Sequence, residues 1–364
     1  MAVSATSRPF PHRRGAALAL TAAALFGAST PLAKLLIGGM PPQWLAGLLY
    51  LGSGVGLAIW IGLRKSVFRN GPVEAGLQRA DWPWLAGAIF SGGVVAPVLL
   101  VVGLVGTQAS AASLLLNLEG VFTALLAWFV FHEHFDRRIF AGLVAIVAGS
   151  ALLSWKGSAT GGVPWSMLCI AGACLAWALD NNLTRKVSAA DPVQTTMIKG
   201  LVAGSINTTI AWLLTRQVPS VATIAAAGTV GLFSYGISLT LFVLALRHLG
   251  TARTGAYFST APFVGAALSF LVLADAPTQI FWIAAALMAF GVWLHLSERH
   301  EHKHAHPPIT HTHLHLHDEH HHHSHGPSDP AGEPHSHLHQ HEPLLHTHPH
   351  VPDIHHQHDH RPSR

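Results

Sequence analysis

Ten apolar runs fill the chain from residue 15 to residue 297, most of them about 20 residues long. They cover 15–37, 41–63, 82–104, 108–131, 138–155, 163–184, 193–214, 221–246, 252–274 and 278–297. A helix of about 20 apolar residues, rising ~1.5 Å per residue, crosses the hydrocarbon core of a bilayer. In that medium every backbone polar group must be satisfied within the protein, so ten such runs predict a bundle of spanning helices. The charge content agrees: 10% of residues are Asp, Glu, Lys or Arg, against about 25% in soluble domains. The fifth run is short and predicts little tilt or a locally thinned bilayer. The first follows Arg13-Arg14 as a secretory leader would. It is too long for a leader's apolar core, and reads as an uncleaved first span.

Loop charge predicts orientation. With the N-terminus inside, the cytoplasmic ends collect Arg8, Arg13, Arg14, Arg64, Lys65, Arg69, Arg79, Arg137, Arg138, Arg185, Lys186, Arg247, Arg253, Arg299 and Lys303. The outer ends collect only Lys34, Lys156 and Arg216. The positive-inside rule then expects both termini in the cytoplasm and the chain in the cytoplasmic (inner) membrane. Connections at Gly106-Thr107, Arg247–Thr251 and Ala274–Thr278 leave room only for tight hairpins. The longest link, Arg64–Asp81, holds Arg69-Asn70-Gly71-Pro72. Trp44, Trp60, Trp82, Trp84, Trp155, Trp165 and Trp282 lie near span ends and predict an aromatic belt. Cys169 and Cys174 lie in an apolar run and read as small core residues. The net charge of +4 comes from loop Lys and Arg, which does not point to nucleic acid.

The chain repeats. Shifted by 143 residues, Phe90-Ser91-Gly92-Gly93 falls on Phe233-Ser234-Tyr235-Gly236, and Val121, Ala124 and Leu125 fall on Val264, Ala267 and Leu268. Phe26-Gly27 aligns separately with Trp177-Ala178, and Lys34 with Arg185. Five spans per copy is an odd number, so the second copy is inverted, as in alternating-access transporters. The copies differ in polarity: Asn117 meets Thr260, and Glu119 meets Pro262. Pro262 predicts a kink in the ninth span.

These features resemble the drug/metabolite transporter superfamily, EamA type, over residues 15–297. The resemblance rests on the two five-span halves, the fourth run ending in His132-Glu133, and Phe140-Ala141-Gly142 leading to Ala148-Gly149. Glu133 stands at the acid of the family's Gly-Glu, with His132 replacing the Gly. Phe26-Gly27 and Trp177-Ala178 stand at its Trp-Gly. The resemblance implies a permease for small molecules and leaves the solute open.

Glu119 sits near the middle of the fourth run, ~16 Å from Gln108. A carboxyl at that depth costs ~2.5–3.5 kcal/mol and is a candidate functional group. The alternative is a protonated side chain serving packing alone. On a helix Asn117 lies ~200° around from Glu119, on a small-residue stripe with Ser110, Ser113, Gly120 and Ala124. It serves either as glue between helices or as a solute contact. Asp180, Asn181 and Lys199 lie at similar depth on adjacent antiparallel spans, which predicts an Asp180–Lys199 ion pair. The candidate solute or proton cavity is therefore Glu119, Asn117, Asp180, Asn181 and Lys199. Lys34 is expected to reach the outer interface.

After Glu298 the composition changes. Of 29 His, 24 fall between His300 and His360. With few aliphatic residues to bury, the tail, 298–364, is expected to be disordered. Candidate metal ligands are His300, His302, His304, His306, His311, His313, His315, His317 and His320, His321, His322 and His323. Neutral imidazole suits Zn, Ni, Co and Cu. A pH-sensitive solubilising tail is the other reading. His132-Glu133-His134 lacks the four-residue His spacing of a zinc protease helix.

No nucleotide loop or nucleophile motif is present, so an ATP-driven pump or enzyme is not expected. The domains read as 1–14, a short N-terminal segment, then five-helix repeats 15–155 and 163–297, then the tail. The leading expectation is a secondary transporter of a small metabolite or drug-like solute that needs no cofactor. Its partners are lipid and solute, with divalent metal at the tail. The alternatives are a transition-metal (Ni, Co or Zn) permease and a membrane sensor that transports nothing.

Overall fold

The computed structural model describes residues 10–67, 76–131, 137–154, 164–187, 190–296, 301–306, 310–315, 335–340 and 344–349. The first span is α1 (Phe10–Gly27) and α2 (Ser29–Ile37), and the second is α3 (Pro42–Val67). The third is α4 (Trp82–Ala88), a π-helical segment Ile89–Val95, and α5 (Ala96–Val105). The fourth is α6 (Ala109–Leu115) and α7 (Leu118–Phe131). The fifth to seventh are α8 (Arg137–Ser154), α9 (Trp165–Thr184) and α10 (Pro192–Thr215). The eighth joins α11 (Val221–Gly231), a π segment Leu232–Ile237 and the start of α12 (Ser238–Phe258). The ninth ends in α13 (Ala261–Leu273), and the tenth is α14 (Gln279–Leu296).

α12 does not run straight. The rings of Phe242 and Phe258 lie 4.7 Å apart, centroid to centroid. Sixteen residues of straight helix would separate them by ~24 Å. The chain therefore reverses between them, where the short Arg247–Thr251 link predicts a hairpin.

Among the described residues, seven helical stretches are long and apolar enough to cross a membrane; Ala261–Leu273 and Gln279–Leu294 are shorter apolar helices. Large apolar residues cover the outside: Ile59, Phe129, Leu214, Val221 and Leu271 are exposed. Ala19, Ala88, Ala112, Ala173 and Ala203 are buried. This suits a lipid surround, where helices associate by close approach of small residues. α3 and α10 cross at Gly54 and Gly200, where a Cβ on Gly200 would sit 2.6 Å from the Gly54 backbone nitrogen. Trp60, Trp82, Trp84, Trp165 and Trp282 are exposed, as the belt requires. Trp44 departs from it: the residue is buried, and its Nε1 donates to Thr215 Oγ1 at 3.1 Å. Trp155 lies outside the described residues. Cys169 and Cys174 are buried free thiols.

Packing follows a two-fold pseudo-symmetry. α3 packs on α10 and α8 on α14, each with its own counterpart. α5 on α9 in one copy answers to α1 on α12 in the other, and α7 on α9 to α1 on α13.

The irregularities repeat as well. Shifted by 143, Ile89–Val95 falls on the second π segment. The break between α6 and α7 falls on the break before α13. Asn117 N–H donates to Leu114 O at 3.1 Å, and Thr260 N–H to Tyr257 O at 3.2 Å. These are the same tightened turn. Pro262 therefore does not cause the break, because the fourth span breaks at the same place without a proline. Pro262 occupies the first turn of α13, where a missing N–H costs little.

Beyond the bundle, four short strands are described: β1 (Glu301–His306), β2 (Thr310–His315), β3 (His335–Gln340) and β4 (Leu344–Pro349). β1 pairs antiparallel with β4, and β2 with β3.

Candidate functional site

The first π segment is built by its own sequence. Ser91-Gly92-Gly93 crowds its neighbours little, and Pro97 follows four residues after Gly93. Because Pro97 has no N–H, Gly93 O loses its helical donor. The N–H of Ala96 reaches back to Ser91 O, one residue further than in an α-helix. Gly92 O is thereby released as well. Other helices satisfy both carbonyls. Tyr50 Oη donates to Gly92 O at 2.6 Å and Trp177 Nε1 at 3.1 Å. Asn207 Nδ2 donates to Gly93 O at 3.1 Å. All three side chains are buried.

Asp180 lies against the same segment: a Cβ on Gly92 would come 1.9 Å from its Oδ2. Only glycine admits the carboxylate here. Lys199 pairs with Asp180 Oδ2, and the two side chains are 15% and 6% exposed. Thr184 Oγ1 donates to Asp180 Oδ1 at 2.9 Å. The ion pair that depth and antiparallel packing predict is present. One residue along, Asn181 Nδ2 donates to Glu119 Oε1 at 2.8 Å.

Glu119 points into the bundle. It lies within electrostatic reach of Asp180 and Lys199, of Tyr50, and of Tyr235 in the second π segment. It is only half-buried and Asn181 is exposed, so the pair borders open space. Aromatic rings continue the wall across the two halves. Tyr50 and Tyr235 stand 5.3 Å apart, Tyr235 and Phe26 5.8 Å, and Phe26 and Phe258 5.3 Å.

Asn117 stands apart from this group. It is buried at the α6–α7 break, and its Nδ2 donates to Leu114 O at 2.9 Å, which holds the turn. Its stripe packs closely at the Ser113 end, where a Cβ on Gly265 would come 2.7 Å from Ser113 Oγ, and opens at the other. Gly120 is exposed, and a methyl there would meet nothing within 4 Å.

A second polar group joins the ends of the first, third, fourth and ninth spans. Lys34 Nζ donates to Thr107 O at 2.9 Å, to Val105 O at 3.3 Å and to Leu104 O. A cation so placed complements the C-terminus of α5. Lys34 is therefore a helix cap and not a free interfacial charge. Asp275 Oδ2 accepts from Ser110 N at 3.0 Å and Ser110 Oγ at 2.9 Å, at the N-terminus of α6.

Within the bundle, no group of three or more His, Cys, Asp or Glu among the described residues is placed to hold a metal ion. His132-Glu133-His134 lies outside the described residues, as do His300, His317 and His320 to His323. His302, His304 and His306 fall in β1, and His311, His313 and His315 in β2.

Comparison with known proteins decides the family. The EamA-like transporter family matches twice, over residues 13–155 and 164–297. The chain belongs to the EamA-like transporter family. An uncharacterized transporter of Methanothermobacter thermautotrophicus is 30% identical over 289 residues, covering 76% of this chain and 84% of that one. The uncharacterized transporter YyaM of Bacillus subtilis is 25% identical over 278 residues, covering 73% and 88%. The probable 4-amino-4-deoxy-L-arabinose-phosphoundecaprenol flippase subunit ArnE of Pseudomonas fluorescens is 42% identical over 87 residues, covering 23% of this chain and 74% of that one. One solved crystal structure matches with a TM-score of 0.56 at 20% identity, covering 77% of this chain and 94% of that one, and shares the fold.

This EamA-like chain is thus a multi-pass membrane transporter of small solutes. Two positions that carry the sequence resemblance have visible jobs. Gly27 lets the first span lie on α13, where a Cβ would come 2.4 Å from Ala261 O. Trp177 serves the Gly92 carbonyl. Sequence reasoning missed Tyr50, Asn207, Tyr235 and Asp275. A signal existed for Asn207: a proline four residues after a glycine in an apolar run announces a carbonyl in need of a donor. Tyr50 and Tyr235 gave no comparable cue.

Proposed function

We propose that this EamA-like protein is a secondary transporter that moves a small metabolite or drug-like solute by alternating access. Glu119 is the group that meets solute or proton. The observation that supports this is its setting: a carboxyl midway along a spanning helix, bonded to Asn181, facing the Asp180–Lys199 pair and aromatic residues of both halves. Groups contributed by both repeats meet there, and the midplane between repeats is where transporters of this architecture bind their cargo. When the halves rock, the carboxyl's partners change, and its proton affinity changes with them. That would couple a proton to the movement without ATP. In this reading both termini are cytoplasmic, the membrane is the inner membrane, and the chain is a permease and not an enzyme.

The test is flux in proteoliposomes across a panel of metabolites, with and without a pH gradient. Replacing Glu119 by Gln keeps the shape and removes the charge. Losing a charge-assisted hydrogen bond of ~1.5–3 kcal/mol predicts flux lowered about 10–100-fold. The remaining flux should no longer respond to pH. Wild-type flux that E119Q reproduces at every pH would refute the role given to this residue. Transition-metal transport gains no support from the bundle, given the ligand groups described above.

A further inference from the structure

The fourth span is sealed on one side of its break and open on the other. Every residue of α6 is buried, from Ala109 to Leu115. Beyond the break Glu119 is half-buried and Gly120 is exposed. The first and ninth spans supply the seal: Ser29, Thr30 and Ala33 of α2 and Ala261, Gly265 and Ala266 of α13 are buried. Two charges hold its rim. Asp275, from the second repeat, accepts from Ser110 N at 3.0 Å and Ser110 Oγ at 2.9 Å. Lys34 donates to Thr107 O at 2.9 Å and to the last carbonyls of α5. The two side chains lie within electrostatic reach of each other. Between α13 and Asp275 the chain turns through Ala274 in the left-handed region, at φ 52°. That conformation suits glycine and strains alanine, and it persists where surrounding contacts hold it. The contacts that follow it directly are those of Asp275.

We propose that Asp275 and Lys34 form a latch that keeps the α6 side of the permease shut, and that its release opens that side and closes the α7 side. The inference rests on the alternating-access reading above, in which the α6 side faces outward and two arrangements of the halves exchange. The third and fourth spans are joined at Gly106-Thr107, and this one hairpin is gripped twice. Lys34 of the first span holds its α5 carbonyls, and Asp275, just past the ninth span, holds the N-terminus of α6. Moving the hairpin away from the first and ninth spans breaks both grips together. Each grip is charge-assisted and stronger than a neutral hydrogen bond, so the pair biases the population toward the closed arrangement. The strain at Ala274 is relieved when Asp275 lets go, which makes the contact a latch and not a permanent clasp.

The experiment uses the full-length protein in lipid nanodiscs, where both sides meet the solution. C169A and C174A form the background, and a charged, water-soluble maleimide is the probe. S113C reports the α6 side and G120C the α7 side, in separate proteins. With the latch intact, S113C should be shielded and G120C reactive. D275A should raise the S113C rate at least about tenfold, the weight of one charge-assisted hydrogen bond, and lower the G120C rate. D275N keeps an acceptor for Ser110 and should fall between. K34M breaks the other grip and should move both rates the same way, which reads the seal even if D275A does not fold. S113C rates unmoved by D275A and K34M would overturn the latch and leave alternating access standing. An S113C rise with G120C unchanged or faster would overturn alternating access itself, and the latch with it. So would a G120C that is unreactive while the latch is intact.

Discussion

The third and eighth spans share one backbone and put it to different uses. Each carries a π segment at the same place in its repeat, and each exposes carbonyls that an ordinary helix would bond. In the third span Pro97 leaves Gly93 O open, and side chains from α3, α9 and α10 come to it and to Gly92 O. In the eighth span Thr240 replaces Pro97, and its own hydroxyl bonds Gly236 O at 2.9 Å. One copy recruits other helices, and the other heals itself. The fourth and ninth spans differ in the same way. Both break at one turn, but one carries Glu119 just beyond it and the other Pro262. Duplication preserved the deformations and not the charges. The deformations belong to the backbone path on which both halves pack. A buried charge needs partners on neighbouring helices, and α9 and α10 supply them to only one of the two copies.

This contrast can be broken by experiment. The largest effect is expected at the ion pair. D180N or K199M alone strands a charge and should cost about 3–5 kcal/mol of stability, read as thermal unfolding in detergent. The double replacement should recover most of that loss. A double mutant as unstable as the singles would show that the two residues do not act as a pair.

Next come the carbonyl partners. N207A leaves Gly93 O without its donor and should cost about 1–3 kcal/mol, the penalty for an unsatisfied buried polar group. T240A at the repeat-related place removes only a local hydroxyl and should cost about 0.5 kcal/mol or less. Equal losses would mean that the two π segments are equivalent after all.

The smallest effect is expected at Pro262. P262A should shift stability by less than about 1 kcal/mol, because the ninth span breaks without its help. A large loss, or flux abolished, would restore the proline as the cause of the break.

Much of the bundle was legible in the sequence because membrane folding is governed by length and hydropathy. The ten runs, the repeat and the Asp180–Lys199 pair follow from counting residues along helices. The role of Lys34 was not legible. Its position at a span end suggests the interface, yet it caps α5, and only the path of α5 brings those carbonyls within reach. Trp44 misleads for the same reason: belt position and burial are alike in one dimension. Asn117 is open in the sequence between two uses, and the structure gives it a third, holding the turn at the helix break.

What the sequence determined by itself is the helical material: which stretches span, where glycine and proline loosen them, and which few ionisable groups lie among them. These are local or additive properties, set by transfer of side chains and backbone into lipid. What only the tertiary structure decided is which loosened carbonyl meets which donor, and whether Glu119 faces lipid or its own kind. Those depend on how helices distant in the chain cross, and the crossing is fixed by close contacts such as Gly54 on Gly200 that no single stretch contains.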